Sequence, residues 1–202
     1  MKDITFAVIG SGFMGTILAK TASEVNGAQC VGAADILLPR AQELTSRLGG
    51  KAYEDFHEML DKENPAVVFV ATPEQIHREP AIAAAKHGAH IFLEKPTATS
   101  LEDADAINKA CEEACVKLMI GYILRFEVSY AMIQSAVADG SIGKFLSAYA
   151  RRMATISEAR RLHGRVSPLT YIGVHDIDQI LWYHPLPVQL SLNLPGTVLI
   201  HQ

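Results

Sequence analysis

An excess of positive charge is missing from this 202-residue chain, in which 18 Lys and Arg stand against 22 Asp and Glu for a formal net charge of −4. No segment combines dense Lys/Arg with interleaved aromatics, so neither a nucleic acid nor an anionic membrane surface is expected as a partner. Long apolar runs are missing too: none approaches the roughly 18 residues that mark a membrane-crossing helix. Three cysteines, Cys30, Cys111 and Cys115, form no disulfide framework and fit a reducing compartment. Cys111 and Cys115 share a helix face, but no further ligand follows at zinc-like spacing, and no metal is expected. Space for a charged leader is also lacking, because a strand-like run begins at Ile4 and passes straight into glycines. The expectation is therefore a cytoplasmic protein. No repeat and no low-complexity segment occurs.

What is present is a regular alternation. With 49% hydrophobic and 20% charged residues, the chain has the composition of a folded domain with a real core. Strand-like runs occupy residues 4–9, 29–34, 51–53, 66–71, 89–93 and 116–120. Helix-like stretches lie between them at 13–25, 39–48, 55–61, 74–87 and 100–114. Runs such as Ala66-Val67-Val68-Phe69-Val70 are continuously apolar, as strands are when helices cover both sheet faces. Gly49-Gly50 and Gly88 mark helix stops, and Ser100 followed by Glu102 and Asp103 marks a start. An α/β fold follows, a doubly wound parallel sheet over residues 1–120. Residues 121–202 read as an incomplete α+β second domain: a helix at 126–138, a strand-like run from Lys144 to Thr155, and a basic loop containing Arg160, Arg161 and Arg165. A helix at 171–183 and an alternating strand at 188–194 complete it.

The first strand ends in Gly10-Ser11-Gly12-Phe13-Met14-Gly15. A glycine triplet alone is a weak signal, but here a strand precedes it, a helix follows, and Asp35 ends the next strand 20 residues after Gly15. This is the context of a Rossmann dinucleotide cradle. Gly10 serves the tight turn, Gly12 the approach of the pyrophosphate and Gly15 the packing of helix on strand, while the helix N-terminus faces the phosphates. Asp35 is placed to accept from both adenosine ribose hydroxyls; its other reading is a solvated strand-end or helix-capping aspartate. A 2'-phosphate about 4 Å from that carboxylate is repelled by on the order of 4 kcal/mol at an effective dielectric near 20, so NAD is expected over NADP. Arg40 is the nearby cation that would soften this preference.

Thr72-Pro73 and Glu94-Lys95-Pro96 each follow a strand and lie on the edge where open sheets of this class bind ligands. His77 lies close enough in sequence to reach the same edge; it reads equally as an exposed or packing histidine near a helix start.

Together, GSGFMG, ATPEQIH, AAAKHGAHIFLEKP and GVHDIDQILWY, in this order over residues 3–186, resemble the Gfo/Idh/MocA family of NAD(P)-dependent oxidoreductases. The resemblance implies that Lys95 is catalytic, that His175 transfers the proton with Asp178 in support, that Glu94 contacts the cofactor ribose and that Lys95–Pro96 is cis. By their places in the cradle and at the sheet edge, Phe13, Met14, Arg40, Thr72, Pro73 and His77 complete the expected cofactor residues. These residue types suit alcohol oxidation, in which histidine accepts the hydroxyl proton and lysine steadies the developing alkoxide. Tyr171 stands where many members carry an aspartate, and a phenol holds no full charge at neutral pH. With Arg125, Arg165, Lys95 and His175 it makes up the expected substrate contacts; Arg165, within a basic cluster, reads first as part of a solvated face and second as a binder of an acidic or phosphorylated sugar, and Arg125 as a candidate pocket residue.

The function implied is hydride transfer between NAD and a secondary hydroxyl or ketone of a sugar, cyclitol or sugar derivative. Two complete domains of this kind take about 250–300 residues, so the chain reads as C-terminally shortened. That, with Tyr171, motivates the alternative of a nicotinamide-binding but non-catalytic fragment or sensor module. The resemblance also implies a homo-oligomer through the second-domain sheet, which a shortened sheet is not expected to form normally.

Overall fold

The computed structural model describes residues 4–153, 167 and 169–184. The chain divides into two compact units, Met1–Gly121 and Tyr122–Gln202.

In the first unit six strands form one sheet: β1 (Ile4–Ile9), β2 (Ala28–Ala34), β3 (Lys51–Tyr53), β4 (Val67–Val70), β5 (His90–Leu93) and β6 (Leu118–Ile120). Their order is β3-β2-β1-β4-β5-β6, with every pairing parallel. Helices α1 (Phe13–Ser23), α2 (Leu38–Leu48), α3 (Phe56–Glu63), α4 (Arg78–Lys86) and α5 (Leu101–Glu113) make the crossovers. Alternate residues of β1 point to opposite faces. Ala7 and Ile9 join Leu60, Val68, Val70, Leu93 and Ile107 in one core, and Phe6 and Val8 join Ala19, Ala33, Ala41 and Leu44 in the other. Both faces are therefore buried, which is why the strands read as unbroken apolar runs. A fully buried leucine or isoleucine such as Leu60 or Ile107 contributes roughly 1.5–3 kcal/mol. The order of strands reverses between β1 and β4, and that point opens a crevice at their carboxyl ends.

Short polar ties fix the periphery. Edge strand β3 is held to α3 by Tyr53, whose hydroxyl donates to Glu63; burial, and then that carboxylate, push its pKa up to about 12. Ser100 caps α5 by accepting from the Asp103 N–H, and Arg78 on α4 reaches the Asp103 carboxylate at 2.8 Å.

Three elements differ from the sequence reading. The helix expected over 74–87 is a 3-10 turn at Glu74–Ile76 followed by α4. A helix running from residue 74 would place Pro80 in its interior, whereas in the first turn of α4 its missing N–H costs nothing. The strand-like run from residue 144 carries no strand over 144–153, because extended backbone becomes a strand only beside a hydrogen-bonding neighbour, and among the described residues none pairs with it. The helix expected over 171–183 is a π turn, Leu169–Gly173, leading into α7 (Val174–Tyr183). In the second unit α6 (Val128–Ala138) begins at Glu127, whose side chain accepts from the Ser129 and Tyr130 N–H groups. The basic loop residues Arg160, Arg161 and Arg165 and the alternating segment 188–194 lie outside the described residues. No helix among the described residues is long and apolar enough to cross a membrane.

His87 closes α4 with both ring nitrogens on acceptors, Nδ1 at 2.8 Å from the Ala83 carbonyl and Nε2 at 2.8 Å from Asp61 Oδ1 on α3. The bond to Asp61, then the carbonyl, raise its pKa. A raised folded-state pKa gives stabilisation that is complete below the unfolded imidazole value and fades as pH climbs through the folded one. Comparing thermal unfolding of wild type and His87→Gln is therefore expected to give a gap that is widest near about pH 5.5 and closes by about pH 9. A gap that does not change with pH would show that the His87–Asp61 pair is not ionised.

Candidate functional site

The glycines of the first turn are there for different reasons. Gly10 has φ +93°, and a Cβ on it would lie 2.7 Å from the Ala71 carbonyl oxygen; one on Gly15 would lie 1.9 Å from that of Gly10. Both are demanded by the chain's own packing. Gly12 has ordinary torsions, φ −74° and ψ −164°, and a Cβ on it would meet nothing within 4 Å. Nothing among the described residues requires glycine at this position, but a group lying against its backbone would. No side chain caps α1 and no acidic residue sits in its first turn, so the N–H groups and partial positive charge of that helix end are open to an anion. Phe13, the first residue of α1, is 74% exposed, while Met14 is half-buried.

Asp35 pins this turn to the end of β2. Its Oδ2 accepts from the Ser11 N–H and its Oδ1 from the Leu37 N–H, each at 2.9 Å. A carboxylate has further lone pairs to offer a ribose diol. Arg40 is exposed in the first turn of α2.

Among the described residues of the first unit, three buried polar atoms have no hydrogen-bond partner: Ser11 Oγ, Thr72 Oγ1 and Glu94 Oε1. They follow β1, β4 and β5, which are neighbours in the sheet, and so line one edge from the switch point outward. An unmade buried hydrogen bond costs roughly 1–3 kcal/mol, and three side by side are what a ligand's polar groups would complete.

Glu94 is 6% exposed, with Oε2 accepting from the Lys95 N–H at 3.2 Å. Burial raises its pKa, and the Lys95 N–H and ammonium oppose the shift. Burial likewise lowers the pKa of Lys95, opposed by Glu94 and Glu74. The two groups are thus both pushed toward neutrality, which brings the lysine closer to proton exchange near physiological pH. A Cβ on Gly121 would stand 3.3 Å from Glu94 Oε1, so this glycine leaves the space the carboxylate uses; nothing in the local pattern of the sequence marks it. The Lys95–Pro96 peptide is cis. His77, expected to reach the cofactor, is instead 1% exposed, with Nε2 3.0 Å from the Thr72 carbonyl and Nδ1 2.9 Å from that of Pro96. It braces two turns and offers no free ring nitrogen to a ligand.

In the second unit α7 carries His175, half-buried, and Asp178, 7% exposed. Asp178 is gripped by Arg125: Nε lies 3.0 Å from Oδ2 and Nη2 2.5 Å from Oδ1. The carboxylate raises the guanidinium pKa, and the guanidinium also lies over the Trp182 ring, 5.6 Å from its centroid. Arg125 is therefore engaged within the unit, and Asp178 is charge-balanced. Arg152 bonds Asp176 at 2.8 Å with both side chains partly buried. That pairing spans 24 positions, and no periodicity reveals it. Tyr171 is half-buried in the π turn, one helical turn before His175. Arg165 lies outside the described residues. Among the described residues no group of three or more His, Cys, Asp or Glu is placed to hold a metal ion.

Residues 4–122 match the model of the Gfo/Idh/MocA oxidoreductase family, described as having an NAD-binding Rossmann fold. The 2,7-anhydro-N-acetylneuraminate hydratase of Mediterraneibacter gnavus is 30% identical over 184 residues, covering 88% of this chain and 48% of that protein. The myo-inositol 2-dehydrogenase of Thermotoga maritima is 36% identical over 138 residues, covering 68% and 41%. A crystal structure of scyllo-inositol dehydrogenase from Lactobacillus casei with bound NAD(H) and scyllo-inositol shares the fold, with a TM-score of 0.83 at 23% identity over 96% of this chain and 61% of that one. The chain spans about half the length of the curated relatives it matches. With more than half of its residues inside the family model and a sheet of the matching kind, this chain belongs to the Gfo/Idh/MocA family of oxidoreductases.

Proposed function

We propose that the chain is the cofactor-binding portion and part of the substrate-binding portion of an NAD-dependent oxidoreductase. It acts between a secondary hydroxyl and the corresponding ketone of a sugar, cyclitol or sugar derivative. The carrying observation is the edge formed by open Gly12 and the unpartnered Ser11, Thr72 and Glu94 atoms. Residues 1–120 form the dinucleotide domain and 121–202 part of the substrate domain. The substrate class rests on the relatives, one a hydratase of a sugar-acid derivative and one a dehydrogenase of an inositol. Cytoplasmic residence fits the free thiols of Cys30, Cys111 and Cys115.

The residues fit NAD. The turn from Gly10 to Gly15 and the α1 N-terminus hold the pyrophosphate, Asp35 the adenosine ribose hydroxyls, and Thr72, Pro73 and Glu94 the nicotinamide half. When bound, the nicotinamide supplies the hydride acceptor or donor. Lys95 donates a hydrogen bond to the reacting oxygen and stabilises it as charge develops. His175 takes the hydroxyl proton in oxidation and returns it in reduction. Asp178, balanced by Arg125, acts by holding α7 and His175 in place. Tyr171 supplies a phenol to the substrate. Self-association through a second-domain sheet is part of the same reading; the segment 188–194 on which it would rest lies outside the described residues.

Fluorescence titration is expected to show NADH bound at least about tenfold more tightly than NADPH, a difference of about 1.4 kcal/mol; equal affinities would remove Asp35 from the ribose site. Gly12→Ala is expected to leave the unfolding midpoint unchanged, because its Cβ enters open space, and to weaken NADH binding. A stability loss with unchanged NADH affinity would mean that glycine serves the fold. In a screen of polyols and ketoses, Lys95→Ala and His175→Ala are each expected to lose at least about a hundredfold in turnover. Binding of NADH with no turnover by wild type on any of them would favour a non-catalytic nicotinamide-binding module.

A further inference from the structure

The parallel ladder between β4 and β5 runs through the pair Val70 and Leu93, and one more bond, from the Glu94 N–H to the Val70 carbonyl, follows at 2.9 Å. Past that point the sheet no longer joins the two chains, although Thr72 lies just beyond on one and Lys95 on the other. The ring of His77 bridges them. Its Nε2 is 3.0 Å from the Thr72 carbonyl, and its Nδ1 is 2.9 Å from the Pro96 carbonyl and 3.3 Å from that of Thr97. Carbonyl oxygens only accept, so a ring nitrogen bonded to one must carry hydrogen; the neutral ring has one N–H and the cation two. The ring therefore ties at least one turn at all times and both when protonated. Its own backbone is anchored, since the His77 carbonyl accepts from the Ala81 N–H of α4, and Ala81, Ala84 and Ala85 of that helix are buried in the core.

We propose that His77 is a positioning residue whose buried imidazole braces the Thr72 turn against the Pro96–Thr97 turn and thereby sets where Lys95 and Glu94 stand. Its value for hydride transfer rests on the reading of Lys95 given above, but the brace itself is testable without cofactor. Sites built on rigid elements hold their geometry only when a supporting layer fixes the reacting groups, and His77 supplies that layer from α4.

The test is the pH profile of Lys95 acylation, followed by mass spectrometry on the full chain without NAD, in wild type, His77→Leu and His77→Gln. Cooperative thermal unfolding identifies the folded variants. In His77→Leu the midpoint of the Lys95 profile is expected to shift upward toward that of an ordinary lysine, because a released turn admits water to the amine. The profile of Lys62 is expected to stay unchanged. The glutamine side chain donates to one turn and is expected to give a smaller shift. An unchanged Lys95 profile in a folded variant overturns the proposal. Should neither variant fold, nitrogen–proton NMR of wild type decides: a slowly exchanging ring N–H on His77 is expected, and its absence overturns the brace. A wild type that fails to bind NADH but shows the Lys95 shift in the variants leaves the brace standing and removes the cofactor reading.

Discussion

The close approach of the β1–α1 turn to the end of β4 is the constraint from which the rest of the first unit follows. With Gly15 against the Gly10 carbonyl and Gly10 against Ala71, no side chain fits between them. The first turn of α1 therefore starts hard against the sheet edge where the strand order reverses. A bulkier residue at either position would push the helix away and take its N–H groups out of reach of a ligand in the crevice. Asp35 then fastens the turn from the other side through the Ser11 N–H. Strand, turn, helix and neighbouring strand are thus one rigid assembly, and the buried unpartnered atoms of Ser11, Thr72 and Glu94 are held along its rim.

Buried charge is managed in two ways. In the first unit Glu94 and Lys95 are adjacent, and burial shifts both toward their neutral forms. Such groups are costly to keep charged and cheap to exchange protons with. In the second unit the carboxylates of Asp176 and Asp178 are each matched by an arginine. These pairs hold charge in place and tie α7 to chain before it in sequence. The distinction separates buried groups left without a full counter-charge from groups held in ion pairs, and Arg125 and Asp178 are of the second kind.

The parallel sheet and its cradle were legible because they are local. Continuous apolar runs, glycines at fixed offsets and an acidic residue at the next strand end each reflect geometry that a short segment imposes on itself, and β1 to β6 fall within a residue or two of the expected runs. Pro80 was equally visible in the sequence; its effect on the 74–87 segment follows from the missing N–H. The run after residue 144 misled because apolar composition marks a potential strand, while a strand exists only with a partner.

The sequence by itself determined the backbone plan of the first unit and the residue types at its edge, since periodicity and glycine spacing act over a few residues. Tertiary structure alone decided what those side chains face. It turned His77 inward between two turns, opened the space beside Gly12, set Gly121 against the Glu94 carboxylate, and paired Arg125 with Asp178 across 53 positions and Arg152 with Asp176 across 24. Partners so far apart in the chain are chosen by packing and by the cost of leaving a buried polar group unmatched, and neither leaves a mark in local sequence.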